Sequence, residues 1–141
     1  MRKKIFFGLS GLIILIALGA IFFFPKKIEH GMKNPPSTTI ITKQDDGKEI
    51  QITAGGTFEI QLEELGSAGY TWQVDEINSD YIQLVSSDTK PTSDLIGAPV
   101  LGTWKFKALK NGQTEIKMDY FRPWEGKESA VDHFSIKILI K

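Results

Sequence analysis

Trp104-Lys105-Phe106-Lys107-Ala108-Leu109-Lys110-Asn111-Gly112-Gln113-Thr114-Glu115-Ile116-Lys117-Met118-Asp119-Tyr120 is the stretch that decides the fold of this chain. Trp104, Phe106 and Ala108 alternate with Lys105 and Lys107; after the Lys110-Asn111-Gly112 turn, Ile116, Met118 and Tyr120 alternate with Lys117 and Asp119. A period of two puts one face of each strand on a core and the other in water. Asn-Gly suits a type I′ hairpin, which needs positive φ at both central residues.

The same period recurs on either side. Phe58, Ile60 and Leu62 alternate with Glu59 and Gln61, and Phe134, Ile136, Ile138 and Ile140 with Ser135, Lys137 and Leu139. Tyr70 to Val74 and Tyr81 to Val85 read as two further strands, and Ile40–Thr42 and Glu49–Ile52 as a pair joined at Asp45-Asp46-Gly47. Seven or eight short strands with no convincing helix predict an all-β, immunoglobulin-like Greek-key sandwich; an open barrel is the competing architecture. Ala54-Gly55-Gly56 and Lys110-Asn111-Gly112 are tight connections, while Glu63 to Gly69, Lys90 to Leu101 and Phe121 to Ala130 are long. Successive connections in an antiparallel sandwich alternate between its ends, so the three long loops are expected together at one end. Long loops on a rigid β scaffold are where binding function usually sits.

Upstream the character changes. Ile5 to Phe24 are twenty consecutive uncharged residues, long enough as a helix to cross a bilayer core of about 30 Å. The length favours a retained signal anchor over a cleaved signal peptide. Arg2, Lys3 and Lys4 before it, against Lys26 and Lys27 after it, favour a cytoplasmic N-terminus. The expected organisation is a cytoplasmic basic segment 1–4, a transmembrane signal anchor 5–24, a tether 25–37 and a β domain 38–141 outside the cytoplasm, secreted if the segment is cleaved.

Charge and composition narrow the function. The chain has 17 basic and 17 acidic residues, but five of the basic ones lie in the first 27 positions, leaving the remainder at −5. That is the wrong sign for nucleic-acid binding. With no cysteine and two histidines, His30 in the tether and His133 beside the last strand, neither a Cys–His nucleophile pair nor a histidine-rich metal site can be assembled. No enzyme, cofactor or metal is expected, and the domain reads as a monomer. Asp45, Asp46 and Glu49, like Glu63-Glu64 and Asp75-Glu76, read as solvated turn acids.

The last long loop runs Tyr120-Phe121-Arg122-Pro123-Trp124-Glu125-Gly126. It resembles the Arg-Pro-Trp-x-Gly motif of chagasin-type inhibitors of papain-like cysteine proteases, with Arg122, Pro123, Trp124 and Gly126 matching in turn. Leu65-Gly66-Ser67-Ala68-Gly69-Tyr70-Thr71-Trp72 is similar to that family's first loop, Asn-Pro-Thr-Thr-Gly followed by aromatic-x-Trp. Gly69, Tyr70 and Trp72 match, Ser67 replaces a threonine, and Leu65, Gly66 and Ala68 depart. The family's middle Gly-x-Gly-Gly loop corresponds to Gly97-Ala98 and Gly102, flanking an insertion Pro99-Val100-Leu101. Val100 and Leu101 are expected to be exposed and to meet a partner or the membrane.

The resemblance implies a reversible inhibitor whose three loops occlude a papain-like protease cleft, with Gly66, Ser67, Ala68, Gly69, Gly97, Ala98, Gly102, Arg122, Pro123, Trp124 and Gly126 at the contact. Tryptophan and arginine are the residue types over-represented at interface hot spots. Trp72, on a central strand, is expected in the core. The alternative is a cell-surface binding module that uses the same loops on a non-protease partner.

Overall fold

The computed structural model describes residues 38–141; the anchor expected at residues 5–24 and the tether at 25–37 lie outside the described residues. Among the described residues no helix is long and apolar enough to cross a membrane. Eight strands form two four-stranded sheets: β1 (Thr39–Thr42), β2 (Glu49–Ile52), β3 (Thr57–Glu64), β4 (Thr71–Val74), β5 (Ile82–Pro91), β6 (Val100–Ala108), β7 (Gly112–Phe121) and β8 (Asp132–Ile140). One sheet has the order β1-β3-β6-β5 and the other β2-β8-β7-β4, so the molecule is a sandwich and not a barrel.

The alternating residues close the core from both sheets. Phe58, Ile60, Leu62, Trp104, Phe106 and Ala108 come from the first sheet, and Ile116, Met118, Phe134, Ile136, Ile138 and Ile140 from the second. Phe58 and Phe106 stack across β3 and β6 with ring centroids 5.4 Å apart. Each fully buried aliphatic or aromatic side chain contributes about 1.5–3 kcal/mol relative to exposure, which is how a domain without disulfides is held together. Trp72 belongs to the core, as its strand position predicts.

Two expected hairpins are corrected. Ile40–Thr42 and Glu49–Ile52 do not pair with each other: β1 runs parallel to β3, and β2 parallel to β8 in the opposite sheet. The acids between them satisfy backbone amides at this crossing. Asp45 Oδ2 accepts the Thr42 amide at 3.0 Å, and Asp46 Oδ1 accepts the Ser135 amide at 2.9 Å. Likewise β6 and β7 lie in different sheets, and Asn111 has no positive φ, so Lys110-Asn111-Gly112 is an inter-sheet crossing and not a type I′ turn. Alternating strands look the same locally whether the next strand pairs beside them or across the core.

The strand registers fix the two ends. Glu64, Val100 and Pro91 share a level at one end, where Tyr120 pairs with Asp132 and Thr71 with Phe121. Thr57, Lys107, Ile82 and Gly112 mark the other end. Residues 65–70, 92–99 and 122–131 therefore all leave from the first end, as the alternation of connections predicts, and the β1–β2 crossing lies there too.

β5 is longer than expected and β6 begins at Val100, which corrects the middle loop. Val100 and Leu101 are half-buried strand residues paired with Glu64 and Glu63. Gly102 is a buried residue of β6, with the Trp104 ring and the Glu64 carboxylate lying where a side chain would project. Gly102→Ala is expected to overpack this site and cost about 1–3 kcal/mol. A urea midpoint that falls with an unchanged slope is the expected signature.

Acid titration offers a second check. The Thr42 amide, and then the Lys48 ammonium, hold the Asp45 carboxyl below the usual aspartate range. A folded value below the unfolded one means the contribution is complete above about pH 4 and is lost as pH falls through the folded value. Burial moves Glu64 the other way, so its burden is relieved on protonation. Asp45→Asn, which keeps the acceptor and loses the charge, should lower the urea midpoint at pH 7, with the gap to wild type closing toward pH 3.

Candidate functional site

The first loop is a single 3₁₀ turn, Gly66–Ala68, with the Ala68 and Gly69 amides donating to Leu65 O and Gly66 O at 2.9 Å. Its small side chains bury little, so its order comes from its neighbours. The Leu65 amide donates to the Tyr120 hydroxyl at 2.6 Å. Trp72 Nε1 donates to Glu63 O at 3.0 Å, and the Trp72 amide to Glu64 Oε1 at 2.8 Å. Tyr120 stacks on Trp72 at 4.8 Å and lies 5.5 Å from the Tyr70 ring, so an aromatic column rises from the core to the loops. Burial pushes the Tyr120 phenol up, although the Leu65 amide opposes it, and the group stays a neutral acceptor at physiological pH.

The third loop is two 3₁₀ turns, Pro123–Glu125 and Lys127–Ser129, joined at Gly126. Pro123 opens the first of them, where its fixed φ fits and its missing donor costs nothing. Gly126 sits at φ 84°, ψ 161°, a conformation essentially confined to glycine. Lys127 Nζ reaches Asp75 Oδ2 at 2.6 Å and Asp119 Oδ2 at 3.2 Å, and Asp119 Oδ1 meets His133 Nδ1 at 2.7 Å. The Asp75 hydrogen bond, then the Asp119 one, raises the Lys127 ammonium above its ordinary range and keeps it charged. The descending limb of the loop is thereby tied to the face of the second sheet.

Loops one and three interlock. Arg122 Nε donates to Ala68 O at 2.9 Å, its Nη1 pairs with Glu125 at 3.1 Å, and the guanidinium lies 4.5 Å from the Tyr70 ring centroid. The Trp124 ring rests on Gly69, occupying the space a side chain there would need. Trp124 is nevertheless 71% exposed and does not fold down to cap the sandwich. The start of β6 also approaches the first loop, with Val100 Cγ2 3.8 Å from the position of a Gly66 side chain.

Of the residues expected at the contact, Gly66, Ser67, Ala68, Gly69, Arg122, Pro123, Trp124 and Gly126 come together on one surface. Gly97 and Ala98 sit on the adjoining middle loop, while Gly102 lies inside β6. Sequence reading missed Glu64, Asp75 and Asp119. Glu64 is 6% exposed and not a solvated acid. Its phase with Phe58, Ile60 and Leu62 was the signal that it points inward. Asp75 holds Lys127, and Asp119, though on the outward phase of β7, is buried beneath the third loop's own limb.

Gly69→Ala tests the interlock. Gly69 has φ +81°, which costs an L side chain about 1–2 kcal/mol, and the new methyl group would displace the Trp124 ring. The expected result is a stability loss of that size, with the indole N–H resonance of Trp124 shifted and those of Trp72 and Trp104 unchanged.

Comparison with known proteins bears on this geometry. The chagasin family peptidase inhibitor I42 pattern matches residues 51–138. Amoebiasin-2 of Entamoeba histolytica is 36% identical over 105 residues, 72% of this chain and 85% of the relative. The crystal structure of the cysteine protease inhibitor EhICP2 from Entamoeba histolytica superposes with a TM-score of 0.67 at 29% identity, covering 74% of this chain and 96% of that one. PbICP-C, solved in complex with falcipain-2, shares the fold at a TM-score of 0.52 and 20% identity, covering 76% of this chain and 93% of its own. With the loop-bearing sandwich in place and more than half the chain matched, this protein belongs to the chagasin family of peptidase inhibitors, and it is an inhibitor and not an enzyme.

Proposed function

We propose that the protein reversibly inhibits papain-like cysteine proteases by occluding the active-site cleft with three loops, residues 65–70, 92–99 and 122–131. One observation carries the reading: the loops leave one end of the sandwich, the first and third are locked together, and a 71% exposed tryptophan stands on their surface. The relative described as a cysteine protease inhibitor supports the target class.

The loop backbone argues for inhibition without turnover. A protease holds a scissile bond in an extended segment, whereas residues 66–68 and 123–125 are 3₁₀ turns closed by the Ala68 and Glu125 amides. Ordering paid on folding is not charged again on binding, which is the basis of tight binding by rigid loops. The sheet orders support the immunoglobulin-like Greek-key description, with β3, β6 and β5 in the places of strands B, E and D and β4, β7 and β8 in those of C, F and G.

The Ile5 to Phe24 stretch supports an anchored domain outside the cytoplasm.

The purified protein is expected to inhibit papain competitively and to remain uncleaved. Trp124→Ala should weaken inhibition by about 2 kcal/mol or more, roughly 30-fold. If a panel of papain-like enzymes shows no inhibition at micromolar protein, the target class is wrong, and a pull-down that recovers only non-protease envelope proteins would favour the binding-module alternative.

A further inference from the structure

The three most exposed large apolar side chains among the described residues all lie at the loop end. They are Trp124, Leu95 at 77% and Ile96 at 107% exposure. Trp124 rests on Gly69, whereas Leu95 and Ile96 stand at the tip of the middle loop. Ile96 has no cover from its own domain.

The tip is held rigidly. The Thr92 amide and hydroxyl both donate to Pro99 O, at 3.2 and 2.6 Å, closing the base of the loop. The Leu95 amide donates to Ser93 Oγ at 3.3 Å, and the Ala98 amide to Leu95 O at 3.1 Å, with Gly97 at φ +80°. That is a β-turn with positive φ at its third position, which places Ile96 at the outward corner. The backbone is thus already committed, and little ordering opposes burial of the two side chains by a partner.

We propose that Leu95 and Ile96 form a target-selecting element, an apolar anchor that seats in a hydrophobic depression on the protease beside its cleft. The inference rests on the inhibitory reading above and goes beyond it. The first loop packs at Gly66 against Val100, the β6 residue that follows the middle loop, and at Gly69 against Trp124 of the third loop, so the anchor and the interlocked loops share one end of the sandwich. An anchor off the cleft meets protein surface that differs among enzymes sharing one catalytic apparatus, and specificity is a difference of affinities. A lipid surface fits the position less well. The segment around the tip carries Asp88, Asp94 and the single basic Lys90 instead of the basic cluster that an anionic membrane attracts.

The test is a double variant, Leu95→Ser with Ile96→Ser, prepared in the full chain alongside Trp124→Ala. Inhibition constants are measured against papain and two other papain-like proteases. Both serines replace exposed side chains, so the urea midpoint should stay at the wild-type value. Trp124→Ala should weaken inhibition of every enzyme that wild type inhibits. The double variant should weaken at least one by about 10-fold or more and leave another within about twofold, changing the selectivity ratio. Constants within about twofold of wild type on every enzyme would overturn the inference, and so would an equal loss on all of them. Loss of binding to phosphatidylcholine–phosphatidylglycerol vesicles with inhibition intact would assign the tip to the membrane and also overturn it. If wild type inhibits none of the enzymes, the inhibitory reading itself fails and takes this inference with it.

Discussion

The ring of Tyr120 connects the core to the loops, and the geometry of the loop end depends on it. Below, it stacks on Trp72, whose indole is buried and bonded to Glu63 O. Beside it lies Tyr70, which carries the Arg122 guanidinium, and its own hydroxyl accepts the Leu65 amide. Each aromatic pair is worth about 0.5–1.5 kcal/mol beyond the area it buries, and a cation over an exposed ring about 0.5–1 kcal/mol. Fixing one loop residue's backbone costs about 1–2 kcal/mol. No single link of the column holds a six-residue loop, but the links act in series with the 3₁₀ hydrogen bonds, and the loop is ordered before any partner arrives.

The two sheets meet differently on their two sides. On one side β1 and β2, joined by the crossing at residues 43–48, lie along the outer strands β3 and β8. On the other side the edges β5 and β4 face each other unpaired. Glu64 reaches from β3 to the outward amide of Trp72 there, which satisfies a donor on β4 that its sheet leaves free. β5 carries an irregularity between Leu84 and Ser86 and ends at Lys90-Pro91, features that discourage another strand from pairing along it. The middle loop therefore projects from an open edge, which is why its tip has no domain surface to lie on.

Much of this was legible in the sequence. Period-two alternation located the strands of both sheets, and alternation of connections placed the long loops at one end before any coordinates. Pairing was not legible, because Ile40–Thr42 and Glu49–Ile52 present the same pattern to a neighbour in their own sheet and to one across the core. Asp45 and Asp46 carry no local mark that distinguishes a solvated turn from acids that take up the Thr42 and Ser135 amides. Glu64 was legible by its phase and was misread by its charge. Asp119 was not, because the limb that buries it comes from its own loop eight residues later, through Lys127.

Arg122 has a structural task that its residue type alone does not reveal. Its match to the family pattern, together with the frequency of arginine at hot spots, would assign it to the protease. In the structure its Nε is committed to Ala68 O, its Nη1 to Glu125 and its face to Tyr70. Two of its five N–H donors are thus engaged within the domain, and three remain for a partner. It also fixes the distance between two loops, and Trp124, resting on Gly69, presents the exposed surface that this distance sets. Within one five-residue motif, then, arginine and glycine shape the loop, proline starts its turn and tryptophan meets the solvent, and the spacing is constrained because all four tasks are performed on the same short segment.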